Sequence, residues 1–138
     1  MVIADTSVWI EFFRGGHEPV REALRRLVRA QQAVLVGVVL AELLQGCRSV
    51  KEADSILSNL AGLRFLTDSF TSWRHAGELS ASLRRKGITI PLSDLVMAAL
   101  ALEHGCQIYS LDPHFKQIPG LSLYKVPRPS RKRYQPTS

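Results

Sequence analysis

The sequence predicts an α/β domain whose mainly parallel sheet is covered by helices on both faces. Three observations lead there. Strand-length apolar runs alternate with helix-length amphipathic stretches, no Asn-Gly or similar hairpin signal joins neighbouring strands, and one helical segment is apolar nearly all round. At 138 residues, 46% hydrophobic and 22% charged, the chain has the size and composition of one folded domain, and wholesale disorder is excluded.

Val2-Ile3-Ala4 reads as the first strand and Ala33 to Val36 as the second. Between them, residues 19–30 form a helix with Val20, Ala23, Leu24, Leu27 and Val28 on one face and Arg21, Arg25, Arg26 and Arg29 elsewhere. Glu18 and Pro19 suit its first turn, where an acid complements the helix dipole and the N–H that proline lacks would have no helical partner. Residues 63–66 are a third strand. The helix over 69–86 then places Phe70, Trp73, Ala76, Gly77, Ser80 and Leu83 at three- and four-residue spacing, and Gly87 stops it. The helix over 92–104 opens at Pro91 and Ser93, ends at Gly105, and carries the run Leu95 to Leu102 that marks a buried element. Residues 107–109 are a fourth strand and 121–124 a fifth.

The longest apolar run, Ala33 to Ala41, has nine residues, whereas a membrane-spanning helix needs about 20. No basic region precedes a long apolar stretch at the N-terminus, which argues against a secretory leader. Cys47 and Cys106 are too few for a disulfide framework or a zinc site, so the reading is a cytoplasmic protein with free thiols and no membrane partner. The net charge is +6, from 18 basic and 12 acidic groups. Residues 127–138 hold four of the basic groups and no acid, so the body, residues 1–126, carries 14 against 12. The expected organisation is one domain over 1–126 followed by a flexible basic Pro/Arg-rich tail over 127–138. A basic total of this kind favours polyanionic partners, but its concentration in the tail weakens that inference for the folded body.

Most acids, among them Glu22, Glu52, Asp54, Glu78 and Glu103, fall on solvated helix faces. Four do not. Asp5 directly follows the first strand, and Asp112 follows the fourth through Ser110 and Leu111. Glu42 interrupts an otherwise apolar stretch running from Ala33 to Leu44, and Asp94 opens the most apolar helix. Each has an ordinary explanation: Asp5 and Asp94 as helix caps, Asp112 as a turn residue before Pro113, Glu42 as a face reaching water. Together they say more, because residues just past the carboxyl ends of parallel strands converge on one crevice. Carboxylates gathered there repel one another unless protons or cations intervene. Oxygen-only donor sets favour Mg²⁺ or Mn²⁺ over zinc, and such ions bind phosphate oxygens and activate water, so phosphodiester hydrolysis is the natural chemistry.

Four segments then carry a family resemblance: Val2-Ile-Ala-Asp5-Thr6-Ser7-Val-Trp9, Ala41-Glu42-Leu-Leu-Gln-Gly46, Ser93-Asp94-Leu-Val-Met-Ala-Ala99 and Ser110-Leu-Asp112-Pro-His114-Phe115. In order and spacing, over residues 1–126, the chain resembles PIN-domain ribonucleases, specifically the VapC toxins of type II toxin–antitoxin pairs. The resemblance implies a three-layer α/β/α sandwich and an Mg²⁺- or Mn²⁺-dependent endoribonuclease in which metal-activated water cleaves RNA. It implies Asp5, Glu42, Asp94 and Asp112 as the catalytic acids. Asp5 and Asp94 would be direct metal ligands, with Glu42 and Asp112 binding directly or through water. Thr6, Ser7, Ser110 and His114 would support them, Ser110 standing where the family usually has a threonine. His114 departs from the pattern, since a further acid often stands there, and this puts a second metal in doubt. The resemblance also implies a homodimer and a cognate VapB-like antitoxin whose segment crosses the toxin. Trp9, Phe12 and Phe13 either line the receiving groove or pack the first helix.

The alternative is a non-catalytic PIN-like module that binds RNA or protein; all four acid positions are filled, which favours the enzyme. An aspartic protease would need a second Asp-Thr-Ser loop in a mostly β scaffold, and a phosphoacceptor domain would need an acidic pair beside Asp5. Arg84-Arg85-Lys86 complements a helix C-terminus and is also a candidate phosphate holder. His17, His75 and His104 lack metal-ligand spacing.

Overall fold

The computed structural model describes residues 1–127; the predicted basic tail lies outside the described residues apart from Pro127. The chain runs β1 (Val2–Ala4), α1 (Thr6–Arg14), α2 (Glu18–Arg29), β2 (Ala33–Val36), α3 (Gly37–Gln45), α4 (Val50–Leu60), β3 (Arg64–Leu66), α5 (Phe70–Arg85), α6 (Leu92–His104) and β4 (Gln107–Tyr109), then a 3₁₀ turn (Pro113–Gln117). The strands form one sheet in the order β3-β2-β1-β4, every pair parallel. All residues of β1 and β2 are buried, as the continuous apolar runs require when helices cover both faces. Helices flank the sheet, giving the expected α/β/α sandwich.

The strand order matters for function. The chain leaves β1 toward β2 on one side and returns to β4 on the other, so the connections from β1 and β4 diverge between these two neighbours. In a doubly wound sheet, that switch point opens a crevice at the carboxyl ends of the strands. Asp5 and Asp112 follow the two strands that flank it.

The expected fifth strand does not form as a ladder. Leu123 makes a single parallel bridge to Ile108, with Ile108 N–H donating to Ser122 O at 2.9 Å and Tyr124 N–H donating to Ile108 O at 2.8 Å. Two features limit it: β4 is only three residues long, and past Tyr109 the chain leaves the sheet as Ser110 turns to Asp5. The sheet therefore has four strands.

Helix α6 is the central element. Residues 95–101 are all buried, which explains an apolar sequence with no polar face, and Gly105 at φ +64° closes the helix in a conformation that costs other residues strain. Removing a side chain such as Leu100, 1% exposed, costs about 2–5 kcal/mol through lost burial and a cavity. In α5 the apolar stripe is displaced from its expected line. Ser72, Ala76 and Leu83 are buried, whereas Phe70 is 83% and Trp73 48% exposed. Ser72 can occupy the buried line because its hydroxyl donates to Glu103 Oε2 at 2.9 Å and caps the helix reciprocally with Ser69. Cys47 and Cys106 are free thiols, and no helix among the described residues is long and apolar enough to cross a membrane.

Candidate metal centre

Asp5 is the best-held of the four acids. Its backbone N–H donates to Tyr109 O at 2.9 Å, tying the end of β1 to β4. Its side chain caps α1: Oδ1 accepts from Ser7 N at 2.6 Å and also from the Ser7 hydroxyl, while Oδ2 accepts from the Ser110 hydroxyl. Asp5 is 5% exposed, one of two buried polar residues among the described residues. The same serines extend the network into the loop after β4, for Ser7 Oγ accepts from Leu111 N at 3.1 Å and Ser110 Oγ from Asp112 N at 2.9 Å. The cap explanation for Asp5 therefore holds, and it coexists with the crevice placement: capping uses Oδ1, and Oδ2 meets a residue 105 positions away.

Asp112 caps the 3₁₀ turn, Oδ1 accepting from His114 N at 2.9 Å, so its turn role also holds. The turn swings the His114 ring back over the site. His114 Nδ1 lies 3.1 Å from Asp112 Oδ1 and 3.3 Å from Asp94 Oδ2, while buried Phe115 anchors the turn. Asp94 sits in the first turn of α6, its N–H donating to Pro91 O at 3.1 Å. Glu42, half-buried on α3, accepts from the Thr6 hydroxyl at 3.1 Å. Each acid is thus linked through Thr6, Ser7, Ser110 or His114 to its neighbours, along one rim of the sheet.

Among the described residues, one group brings three ligand atoms within 4.8 Å of one another: Asp94, Asp112 and His114. Asp5, whose charge acts on Asp94, and Glu42, which is tied to Thr6, are not in this group. No lysine or arginine among the described residues forms an ion pair with any of the four acids; His114 is the one cationisable partner. The Asp94 carboxyl is pushed above the usual range, chiefly by burial, opposed by the hydrogen bond with His114 and reinforced by the charges of Asp5 and Asp112. Half-buried carboxylates facing one another without a fixed countercharge, plus an imidazole nitrogen, are a donor set suited to a divalent ion.

The resemblance implies Asp5 and Asp94 as direct ligands; among the described residues the ligand atoms that lie together are those of Asp94, Asp112 and His114. The His114 contribution was obscure because Asp94 is 20 residues away along the chain. Of the aromatic candidates, Trp9 is 1% exposed and belongs to the core, packed against Phe12 and Phe13. Phe13 lines a groove of about 420 Å³ between α1, α3 and α4, together with Ile10, Arg14, Glu42, Leu43 and Ile56. The groove reaches the site at Glu42. His17, His75 and His104 take no part in the group.

The PIN domain profile matches residues 2–121. A VapC ribonuclease of Mycobacterium bovis is 30% identical over 122 residues, covering 86% of this chain and 91% of the relative. Ribonuclease VapC1 of Rickettsia felis is 29% identical over 133 residues, covering 91% and 96%. Among solved structures, VapBC2 of Rickettsia felis, bound to a DNA fragment from its promoter, superimposes with a TM-score of 0.77 at 25% identity, covering 90% of this chain and 98% of the other.

Proposed function

Since the chain belongs to the PIN-domain family, with VapC ribonucleases among its relatives, we propose that it is a divalent-metal-dependent endoribonuclease and the toxic member of a toxin–antitoxin pair. The observation that carries this reading is the gathering of Asp94, Asp112 and His114 at the sheet's switch point, with the charge of Asp5 acting on Asp94, Glu42 tied to Thr6, and no lysine or arginine among the described residues paired with any of these acids. Mg²⁺ or Mn²⁺ bound there would neutralise the carboxylates, hold a phosphate oxygen and acidify water.

The chain's own residues have distinct tasks in this proposal. Asp94 and Asp112, with Asp5 behind them, form the anionic seat. Ser7 and Ser110 fix both oxygens of Asp5, and Thr6 fixes Glu42, so the carboxylates need little reorganisation when substrate arrives. Water attacks phosphorus in line with the departing 3′-oxygen; the P–O3′ bond breaks, and the products carry 5′-phosphate and 3′-hydroxyl ends. The body over residues 1–126 acts as the nuclease domain, and the basic tail over 127–138 adds salt-sensitive attraction to RNA.

The partners belong to the same reading. A VapB-like antitoxin would lay an apolar segment in the groove between α1, α3 and α4 and bring a basic side chain to Glu42, supplying the missing countercharge. The toxin itself would be a cytoplasmic homodimer, which sedimentation measures directly. For the chemistry, RNA incubated with the pure chain should be cut with Mn²⁺ or Mg²⁺ and spared with EDTA. The new ends should be 5′-phosphate and 3′-hydroxyl. Cleavage that persists in EDTA, or 2′,3′-cyclic phosphate ends, would overturn the mechanism; RNA binding without cutting would point to a non-catalytic module.

A further inference from the structure

At the position two residues after Asp112, where the family resemblance leads one to expect a further acid, the chain carries an imidazole in contact with two carboxylates. We propose that His114 Nδ1 is itself a ligand of the divalent ion, making this a mixed nitrogen–oxygen centre that favours Mn²⁺ over Mg²⁺. The inference rests on the metal-dependent reading above and sharpens it.

Three features support it. Nδ1 is 3.1 Å from Asp112 Oδ1 and 3.3 Å from Asp94 Oδ2. An octahedral ion with bonds of about 2.1 Å places adjacent donors about 3 Å apart, so these atoms already have the spacing of neighbouring ligands. The ring is also held by the fold: the His114 N–H is fixed to Asp112 Oδ1 at 2.9 Å, and the next residue, Phe115, is 1% exposed. Finally, exchanging a carboxylate for a neutral imidazole removes negative charge, on which hard Mg²⁺ depends, and supplies a nitrogen, which transition metals accept more readily. The competing role for the ring is a hydrogen-bonded clasp between Asp94 and Asp112. That role needs a proton on Nδ1, whereas ligation needs a lone pair there, so the two are distinguishable.

The test is pulsed electron paramagnetic resonance of Mn²⁺ bound to the full-length, untagged chain, with titrations of Mn²⁺ and Mg²⁺ in parallel. Bound Mn²⁺ should show coupling to an imidazole ¹⁴N, which changes to the ¹⁵N pattern when histidine is ¹⁵N-labelled. In His114→Gln the coupling should vanish. In His114→Asp the preference for Mn²⁺ over Mg²⁺ should fall roughly 10-fold or more. Bound Mn²⁺ without nitrogen coupling in the wild type would overturn this inference, and metal-dependent RNA cleavage by the same sample would leave the nuclease reading standing. Failure of the wild type to bind Mn²⁺ at all would overturn both. Should either variant lose its fold, the isotope-labelled wild type still decides.

Discussion

Two acid-bearing regions of this chain handle negative charge in opposite ways. On α2 every carboxylate is balanced from within. Glu18 lies 2.7 Å from Arg21 and 3.3 Å from Arg25, and Glu22 lies 2.5 Å from Arg25 and 3.5 Å from Arg26. At the switch point of the sheet, among the described residues, Asp94 and Asp112 share only the His114 ring, and Asp5 and Glu42 are held by hydroxyls and a backbone N–H. The proton affinities diverge accordingly: hydrogen bonding to Arg25 lowers that of Glu22, and burial raises that of Asp94. Exposed ion pairs of the α2 kind contribute little to stability and serve mainly to keep the surface soluble. Carboxylates left unbalanced in a crevice are a standing cost, of the kind that concentrates at functional sites.

That contrast is most sharply broken by removing the unbalanced charges. Asp94→Asn should abolish RNA cleavage, exceeding the roughly 10- to 100-fold loss typical when a group supporting a metal ligand is removed. Asp5→Ala should be equally inactive. It also removes a cap worth about 1 kcal/mol to α1, so circular dichroism should accompany the assay. Wild-type cleavage by either variant, confirmed folded, would show that the unbalanced acids are not the site. Ser110→Ala tests the supporting hydroxyl, and a loss of roughly 10- to 100-fold is expected, with the fold intact by the same measure.

A smaller effect concerns stability. In the metal-free protein Asp94 holds its proton more tightly than in the unfolded chain. Its contribution therefore favours the fold below the ordinary aspartate range and is lost as pH rises through the elevated pKa. Metal-free Asp94→Asn should accordingly melt above the wild type at neutral pH, by roughly 3 °C, and the difference should shrink on acidification. A lower melting temperature at neutral pH would mean that Asp94 is satisfied internally, as the α2 acids are. The smallest effect belongs to the tail. Deleting residues 127–138 should weaken RNA binding at low salt while metal-dependent turnover continues, because that attraction is electrostatic and independent of sequence.

The layout of the domain was legible because its signals were local. Continuous apolar runs bounded β1, β2 and β4, and Leu92 to His104 matched α6 at both ends. Asp5 and Asp112 were legible for the same reason, each standing just beyond a strand, and Glu42 stood out against apolar neighbours. What stayed hidden depended on long-range partners. Phe70 and Trp73 looked like core, but Ser72 takes the buried line because Glu103, 31 residues away, satisfies its hydroxyl. The fifth strand met the right neighbour, yet a three-residue β4 whose continuation bends into the site leaves it only one bridge. His114 read as a supporting residue, and only the fold brings its ring to Asp94.

The most direct test of the central contrast is equilibrium binding of Mn²⁺ by calorimetry to three full-length proteins: wild type, Asp94→Asn and Glu22→Gln. Tight binding to the wild type, loss in Asp94→Asn and unchanged binding in Glu22→Gln is the predicted result. Binding that survives Asp94→Asn, or that falls as far in Glu22→Gln, would contradict the claim that the acids with no lysine or arginine partner among the described residues are there to hold a metal.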